Sequence, residues 1–339
     1  MLILAILAGW MMWLVLGPGT GFAEEKKVLF IKSGTAYTEL CRQLEKEGIV
    51  RSPRVFNWVS SMTWSKKEVK AGRYQIKKGT SLVDLIGMLR AGKQAPVKLV
   101  INKLRTREDL ARKIGTQFDT DSGTIMQIIN DSGFLRSLQV DTGTFMTLVI
   151  PNTYEIFWNT PPRKIIGRLA EEQKKFWTDT RRQKAAALNL NAQTAYTLAS
   201  IVEEETNKEE DKGKIASVYL NRIETGMKLG ADPTVKYATR DFGLKRILHK
   251  HLEFPSAYNT YLHAGLPPGP ICTPSVNTLD AVLNAPSTSY LYFVAKPDFK
   301  GYSNFATTYT EHLEYARQYQ QALDKLMQEK AQKEKKAAP

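Results

Sequence analysis

The stretch from Thr194 to Asn221 constrains the fold most, because its apolar residues recur at the spacing of a helix. One apolar stripe is predicted, formed by Ala195, Leu198, Ala199 and Val202. Three residues further on, at about 100° per residue, the same stripe reaches Glu205 in the sequence EEET. We therefore expect Glu205 to face the core, Glu204 to face solvent and Glu203 to lie on the flank.

The predicted position of Glu205 suggests its chemistry. Burial penalises the charged form of a carboxyl group, so we expect the pKa of Glu205 to be raised. A carboxyl of that kind suits a general acid that works near neutral pH. The alternative is a solvated acidic helix end, which a single EEET sequence also fits.

Length and charge narrow the classes of partner. A chain of 339 residues can form two domains, or one large domain with a smaller one. Its net charge of +14 favours a polyanionic partner: nucleic acid, anionic lipid or an acidic wall polymer. Scattered basic residues, without zinc-finger spacing or an RNA-binding aromatic signature, argue against nucleic acid. Cys41 and Cys272 fit neither a disulfide framework nor metal spacing, so we expect two separate thiols, no metal and no cofactor.

The first 23 residues form the predicted membrane segment. Leu2–Leu16 is an almost unbroken apolar run, and as a helix it would span about 22 Å, short of the hydrocarbon core of about 30 Å. Counting through Ala23 reaches that length. A membrane anchor and a signal peptide cleaved after Ala23 both fit, and either would place residues 24 onward outside the cytoplasm. A buried core helix is the third interpretation.

Residues 24–94 contain two similar units, each a short strand, a Gly-Thr helix start and an amphipathic helix. Ile31, Gly34, Thr35, Glu39, Leu40 and Leu44 align with Ile76, Gly79, Thr80, Asp84, Leu85 and Leu89. Two such units predict a small α+β subdomain, and its turns resemble those of LysM domains, which bind glycans containing N-acetylglucosamine. A spacer without a ligand is the alternative.

A larger α+β domain is predicted over residues 95–320, followed by a charged C-terminal tail over 321–339. Further helices are predicted at residues 105–118, 123–129 and 162–188 and from Glu311 onward, and a strand at residues 290–295. Residues 151–154 are predicted to form a turn that leads into aromatic residues. Tyr154 is a candidate for stacking on a sugar ring, while core packing is the alternative for this aromatic segment.

Two local patterns frame the helix that follows the central one. Asn207 is predicted to cap it, with Glu210 as the capping-box partner, and Gly226 to end it. Further on, Pro and Gly crowd residues 265–274, which predicts a rigid wall with outward-facing backbone groups.

Six short motifs follow one another in a set order: SIVEEET, VYLNRI, ADPTVKYA, AYNTY, GLPPGPI and YLYFVA. The series resembles the YceG-like family of bacterial endolytic murein transglycosylases, over about Ile31 to His312. In that family the essential glutamate is the second acidic position of an I-E-x-E-T motif, which is Glu205 here. Two departures, Gly230-Ala231 before the DPT sequence and Ser303 before Phe305, put details of the sugar subsites in question.

The resemblance implies a fold, a substrate and a location. It implies an N-terminal membrane helix, a LysM-like subdomain and an α+β catalytic domain. The implied substrate is nascent peptidoglycan, cut without water at the MurNAc–GlcNAc β-1,4 bond to leave a 1,6-anhydro-MurNAc end. The implied location is the inner membrane, with a single span and a periplasmic catalytic domain. Its expected partners are glycan strands, membrane lipid and peptidoglycan synthases.

A single carboxyl group that can both donate and accept a proton is sufficient for cleavage without water. Protonated Glu205 would donate to the leaving oxygen and then, as a base, help the sugar's own 6-hydroxyl to attack. A hydrolase would need a second carboxylate, and Asp232 is the candidate. We interpret Asp232 instead as a turn or helix cap before Pro233, with Thr234 helping.

The remaining site candidates are polar residues of the same motifs. Tyr258, Asn259 and Thr260 are expected to hydrogen-bond acetamido or hydroxyl groups, and Asn221 to orient Glu205. The alternative for all of them is that they hold the domain together. Three functions therefore remain open: a lytic transglycosylase, a muramidase-type hydrolase that uses Asp232, and a non-catalytic wall-binding protein.

Overall fold

A computed structural model describes residues 2–64 and 68–337 of the chain, and these residues form two compact units. Unit 1 comprises Met1–Val100, Ala111–Ile125 and Thr153–Ile165, and unit 2 comprises Ile101–Leu110, Met126–Asn152 and Ile166–Pro339. The described residues are rich in helix and form small two-stranded sheets, which confirms the predicted α+β class. The predicted domain boundaries stay predictions. Met1, residues 65–67 and the end of the predicted tail, residues 338–339, lie outside the described residues.

Unit 1 begins with an alternation of helices and strands. Its elements are α1 (Leu2–Leu16), β1 (Lys26–Ile31), α2 (Tyr37–Lys46), α3 (Pro53–Thr63), β2 (Gly72–Lys77) and α4 (Leu82–Ala91). Strands β1 and β2 pair antiparallel, from Lys26 opposite Lys77 to Ile31 opposite Gly72. The two predicted strand-plus-helix units are therefore present, as β1 with α2 and β2 with α4.

The apolar positions that the two units share form the core of this region. All of them are fully buried: Ile31, Leu40, Leu44, Ile76, Leu85 and Leu89. The start of α4 is fixed by Ser81, whose hydroxyl accepts a hydrogen bond from the Asp84 N–H at 3.1 Å. The helix ends at Gly92, which takes the left-handed conformation with φ 70°.

The N-terminal segment joins unit 1 directly after α1. Pro18 bridges to Ser81, Thr20 bridges to Val50, and the ring of Phe22 is buried. Among the described residues, no helix has both the length and the apolar character needed to cross a membrane. The predicted N-terminal membrane helix is therefore not shown.

A second pair of strands follows, β3 (Val97–Ile101) with β4 (Asn152–Ile156). Between them lie α5 (Arg107–Gln117), α6 (Ser122–Asn130), α7 (Ser132–Ser137) and a short 3₁₀-helix (Phe145–Leu148). The turn predicted over residues 151–154 is wrong, since most of that segment extends as β4.

The long helix predicted over residues 162–188 is also wrong, because the chain forms two helices there. They are α8 (Pro162–Phe176) and α9 (Asp179–Ala187). Between them Trp177 is buried, and the Thr178 hydroxyl caps α9 by accepting from the Arg181 N–H at 3.3 Å. A threonine that can cap a helix start competes with continuation of the preceding helix.

Unit 2 is built around α10 (Ala192–Glu205). The other elements that follow are α11 (Glu209–Glu224), α12 (Asp232–Thr239), α13 (His249–Leu252), α14 (Val276–Leu283), β5 (Tyr292–Ala295), β6 (Ser303–Ala306) and α15 (Tyr309–Ala337). Every residue of α10 from Ala195 to Val202 is buried. A capping box formed by Asn191 and Thr194 fixes the start of α10. This helix therefore carries the EEET sequence on a rigid support.

The ends of α11 differ partly from the prediction. The cap predicted at Asn207 is wrong: Lys208 occupies the capping position, and its N–H donates to the Thr206 hydroxyl at 3.0 Å. The predicted end is confirmed, since α11 stops at Glu224 and Gly226 has a φ of 68°. The segment predicted as a tail continues α15 as far as Ala337.

Candidate active site

The three glutamates at the end of α10 have three different environments. The carboxylate of Glu203 accepts hydrogen bonds from the hydroxyls of Ser275 (2.9 Å) and Thr278. The ammonium of Lys212 lies 3.8 Å from the same carboxylate. Glu203 thus ties α10 to the start of α14, because Ser275 is the N-cap residue of that helix.

Glu204 does not face solvent, so the prediction for this residue is wrong. Its carboxylate lies 2.9 Å from Lys103 Nζ and 3.0 Å from Arg105 Nη2, and only 14% of its side chain is exposed. Burial alone would raise its pKa, but the hydrogen bonds from Arg105 and Lys103 outweigh that effect and lower it. The segment that covers this face of α10 is about a hundred residues distant in sequence, which helical phase could not reveal.

Glu205 has the environment of a general acid. It is half-buried, and desolvation is the main reason that its pKa rises from 4.5 to about 7. The negative charge of Asp232 also raises the pKa, whereas Arg222 and Lys236 lower it. The Tyr219 hydroxyl donates to Glu205 Oε1 at 2.6 Å, which lowers the pKa and fixes the carboxyl group. The raised pKa predicted from the apolar stripe is confirmed.

Tyr219 was missed by the sequence reasoning. It lies on α11, and its ring is fully buried and packs edge-on against Phe293 at 6.0 Å. Burial, followed by the charge of Glu205, keeps the pKa of Tyr219 well above its ordinary value, so it stays a donor. The available signal was helical spacing: Tyr219 is four residues after Ile215 and three before Arg222, on the same face of α11.

Asp232 is the first residue of α12 and not its cap, so that interpretation is wrong. The capping position belongs to Ala231, and Pro233 follows inside the first turn. The carboxylate of Asp232 instead accepts a hydrogen bond from the Tyr261 hydroxyl at 2.6 Å. Burial, and next this hydrogen bond, raise the pKa of Tyr261, which therefore remains protonated. Tyr261 is the second site residue that the sequence reasoning missed.

Thr234 and Thr260 form a buried polar link beside this pair. Their hydroxyl oxygens lie 2.8 Å apart, and both side chains are fully buried. Thr260 also accepts from the Ala231 N–H at 3.0 Å, and Thr234 donates to the Ala231 carbonyl at 2.6 Å. This geometry favours the alternative: the two threonines position the start of α12 and are shielded from a glycan.

Asn259 has a comparable structural position. Its amide nitrogen donates to the carbonyls of Leu252 and Phe254, each at 2.9 Å. Its amide oxygen accepts from the Tyr261 N–H at 3.0 Å. The side chain is fully buried, so Asn259 sets the course of the loop that presents Tyr261.

Tyr258 is half-buried, and its ring lies 4.7 Å from that of Tyr237. Burial, followed by the interaction with Tyr237, raises the pKa of Tyr258 to about 12. Its hydroxyl oxygen would lie 3.2 Å from a Cβ built on Gly269. Its binding role stays a prediction.

Asn221 makes contacts other than the predicted one to Glu205, and Tyr154 is buried. The amide of Asn221 donates to the carbonyls of Thr288 and Tyr290, each at 2.8 Å, and so ties α11 to the chain entering β5. The orienting contact to Glu205 comes from Tyr219 instead. Tyr154 is buried in β4, and belongs to unit 1.

The Pro/Gly segment 265–274 packs inward over much of its length, so the predicted wall of outward backbone groups is wrong. The Ile271 N–H donates to the Ser200 hydroxyl at 3.0 Å, which joins the segment to α10. The Thr273 N–H donates to the Leu104 carbonyl at 2.8 Å. Gly269 is required sterically, because a Cβ there would lie 2.0 Å from the Gly143 carbonyl oxygen.

In the structure, the charges of Asp232, Arg222 and Lys236 all act on the Glu205 carboxyl group. Tyr219 donates a hydrogen bond to the same group. In the part of the chain that the structure describes, no group of three or more His, Cys, Asp and Glu residues could hold a metal ion. The arrangement suits transfer of a proton by a carboxyl group with a pKa near 7.

Proteins similar to this chain include endolytic murein transglycosylases. An endolytic murein transglycosylase of Bacillus subtilis is 27% identical over 299 residues, covering 83% of this chain and 81% of that protein. An endolytic murein transglycosylase of Streptococcus pneumoniae is 29% identical over 299 residues, covering 78% of this chain and 53% of that protein.

A crystal structure of a yceG-like protein from Listeria monocytogenes superposes with a TM-score of 0.58 at 25% identity. The match covers 86% of this chain and 99% of that one. The model of the YceG-like family matches residues 29–318, which is most of the chain. The motif series, the fold and this match agree: the chain belongs to the YceG-like family.

Proposed function

We propose that this protein is an endolytic murein transglycosylase. It cuts the MurNAc–GlcNAc β-1,4 bond within nascent glycan strands and leaves 1,6-anhydro-MurNAc ends, which limits strand length. The observation that carries the proposal is Glu205, a half-buried carboxyl with a pKa of about 7 that a buried tyrosine holds in place. Two curated relatives with the same named activity support it.

The first step is proton donation by Glu205. Since Oε1 accepts the Tyr219 hydrogen bond, the proton of the neutral acid is carried by Oε2. That proton passes to the glycosidic oxygen as the C1–O bond breaks, and C1 of MurNAc becomes oxocarbenium-like. A pKa of about 7 keeps about half of the carboxyl groups protonated at neutral pH.

The second step closes the sugar on itself. The Glu205 carboxylate accepts the proton of the MurNAc 6-hydroxyl, whose oxygen bonds to C1. Atoms balance without water, and Glu205 returns to its protonated state. Tyr219 stabilises the carboxylate between the two steps, since a hydrogen bond to a charged acceptor is stronger than one to a neutral acceptor.

A muramidase-type hydrolase is the second candidate, and Asp232 is the observation that favours it. Asp232 is exposed, and its negative charge raises the pKa of the Glu205 carboxyl group. In a hydrolase, Asp232 would activate water or attack C1. The hydrogen bond from Tyr261 supports the transglycosylase instead, because it occupies Oδ1 of the Asp232 carboxylate and holds that group in place.

The direct test is Glu205→Gln on soluble glycan strands, with products separated and weighed by mass spectrometry. Glutamine keeps the size and the acceptor for Tyr219 but cannot donate the proton, so cleavage should fall by about 10²- to 10⁴-fold. The matched control is Glu210→Gln, since Glu210 is exposed on the first turn of α11. Equal activity of the two variants would refute the role of Glu205.

The location is proposed as the inner membrane, with the catalytic domain, residues 95–320, in the periplasm. The segment of residues 1–23 is proposed as a single-pass anchor whose membrane-embedded part is α1, since Pro18, Thr20 and Phe22 join unit 1. Exposed apolar side chains on α1, such as Trp10, Trp13 and Leu16, support an anchoring role. The burial of Phe22 in unit 1 favours a retained anchor over a cleaved signal. Membrane fractionation with protease protection tests this, and a soluble form lacking residues 1–23 would contradict it.

Residues 24–94 are proposed to bind glycan as a LysM-like subdomain, and membrane lipid and peptidoglycan synthases are proposed as partners. The paired strands β1 and β2 with α2, α3 and α4 support the subdomain. Retention of a catalytically inactive Glu205→Gln protein on insoluble peptidoglycan tests glycan binding by the whole chain.

A further inference from the structure

Three rings pack together where α15 begins, outside the residues discussed so far. The ring of Tyr292 lies 5.3 Å from the His312 ring, nearly parallel at 26°, and 5.7 Å from the Tyr309 ring. The rings of Tyr309 and His312 lie 6.1 Å apart at 29°. We call these three side chains the aromatic platform. Tyr309 is 59% exposed, so a ring face of the platform is open to solvent.

The platform is held in place before any ligand arrives. The Glu311 carboxylate accepts from the N–H groups of Thr307 (3.0 Å) and Thr308 (3.2 Å), which caps the first turn of α15. On the other side, Tyr292 pairs with Ala306 in the β5–β6 hairpin. Rings fixed in this way lose little conformational entropy on binding.

The same elements connect the platform to Glu205. The Arg222 guanidinium lies 5.5 Å from the centre of the Tyr292 ring, and its charge also lowers the pKa of Glu205. Phe293, the residue after Tyr292, packs against Tyr219, which holds the Glu205 carboxyl. Arg222 therefore links the platform to the proposed acid, since it contacts the Tyr292 ring and its charge acts on Glu205.

One polar atom of the platform lacks a partner. The Nδ1 atom of His312 is buried and has no hydrogen-bond partner among the described residues. A buried polar atom without a partner costs about 1–3 kcal/mol. Burial, followed by the charge of Arg222, lowers the pKa of His312, so the ring is neutral and has one acceptor nitrogen.

We propose that the aromatic platform is a subsite for one pyranose ring of the glycan strand. A pyranose has faces of C–H groups that pack on aromatic rings and hydroxyls at its edge, which matches rings beside an unpaired nitrogen. The subsite rests on the proposed function, since it names where one sugar of the cleaved strand is held. Tyr309 supplies the open face, and Tyr292 and His312 support it.

The test measures binding without cleavage, in the Glu205→Gln background, with soluble MurNAc–GlcNAc oligosaccharides as the probe. Tyr309→Ala and Tyr309→Leu should raise Kd roughly 3- to 10-fold, the range of an aromatic contact, and Tyr309→Phe should change it less than twofold. The matched control is Phe299→Ala, because Phe299 is 42% exposed and packs against Tyr319 further along α15. It should leave Kd unchanged.

Unchanged Kd in Tyr309→Ala and Tyr309→Leu, or an equal loss in Phe299→Ala, would overturn the subsite. Thermal melting of each variant checks the fold, and Tyr309→Leu keeps a sizeable apolar side chain without a ring if the alanine variant is less stable. The outcome is distinct from that of the proposed function. A parent enzyme that binds through Tyr309 but cuts nothing would refute the activity and leave the subsite in place.

Discussion

Replacing Glu205 by glutamine should stabilise the folded protein above pH 7 while it removes activity. The pKa of Glu205 is about 7 in the fold against an ordinary value of 4.5. A group with a raised folded pKa contributes stability that is fully present below the unfolded pKa and is lost as the pH rises through the folded one. The difference of about 2.5 pH units corresponds to about 3 kcal/mol, and partial exposure of Glu205 reduces this to about 1–3 kcal/mol.

The assay is denaturant unfolding of wild type and Glu205→Gln at pH values from 4.5 to 8. The two proteins should have similar free energies of unfolding at pH 4.5, because the carboxyl is protonated in the folded state and still about half protonated in the unfolded state, where its pKa is 4.5. The variant should then gain up to about 3 kcal/mol over wild type by pH 8. Because glutamine still accepts the Tyr219 hydrogen bond, packing should change little.

The neighbouring residue provides the control with the opposite sign. Glu204 is paired with Lys103 and Arg105, and its pKa is lowered. Its contribution is therefore present above the unfolded pKa and lost as pH falls through the folded one. Glu204→Gln should cost about 1–3 kcal/mol at pH 7 and less in acid. A Glu205→Gln protein no more stable than wild type at pH 8 would refute the assigned environment.

Four further substitutions have defined outcomes. Asp232→Asn should retain cleavage and move the alkaline limb of the pH–rate profile to lower pH, because the Asp232 charge raises the pKa of Glu205; loss of all cleavage would favour the hydrolase. Tyr219→Phe should move that limb to higher pH, since a donor that lowers the pKa is lost, and should reduce kcat about tenfold. Gly269→Ala should lower the free energy of unfolding by about 1–3 kcal/mol, because its Cβ would lie 2.0 Å from a carbonyl oxygen. Gly167→Ala in α8 has open space around the new methyl group and should raise Tm. Differential scanning calorimetry measures both changes.

Periodicity predicted the parts of the fold that depend on neighbours in sequence. The paired positions Ile31 and Ile76, Leu40 and Leu85, and Leu44 and Leu89 are all buried, because amphipathic spacing alone decides which face of an element meets the core. The break at Thr178 could not be predicted in that way. Its hydroxyl cap competes locally with a helix whose apolar pattern continues past it.

The candidate site was predictable only in part, for a related reason. Helical phase placed Glu205 at the end of a core-facing stripe, which is a local property. The partners of Glu204 lie about a hundred residues earlier, so no local pattern identified its ion pairs. Asn259 and Thr260 belong to a motif, but a motif does not distinguish residues that touch a substrate from residues that build the loop.

Cleavage of glycan strands in heavy-oxygen water tests the central claim most directly. If Glu205 serves as acid and then as base for the MurNAc 6-hydroxyl, the new ends should carry no label and no reducing MurNAc. The products should then weigh one water less than hydrolytic products, and Glu205→Gln should yield neither kind. Label at C1 of MurNAc would contradict the account, since water would be the nucleophile and Asp232 would become the residue that activates it.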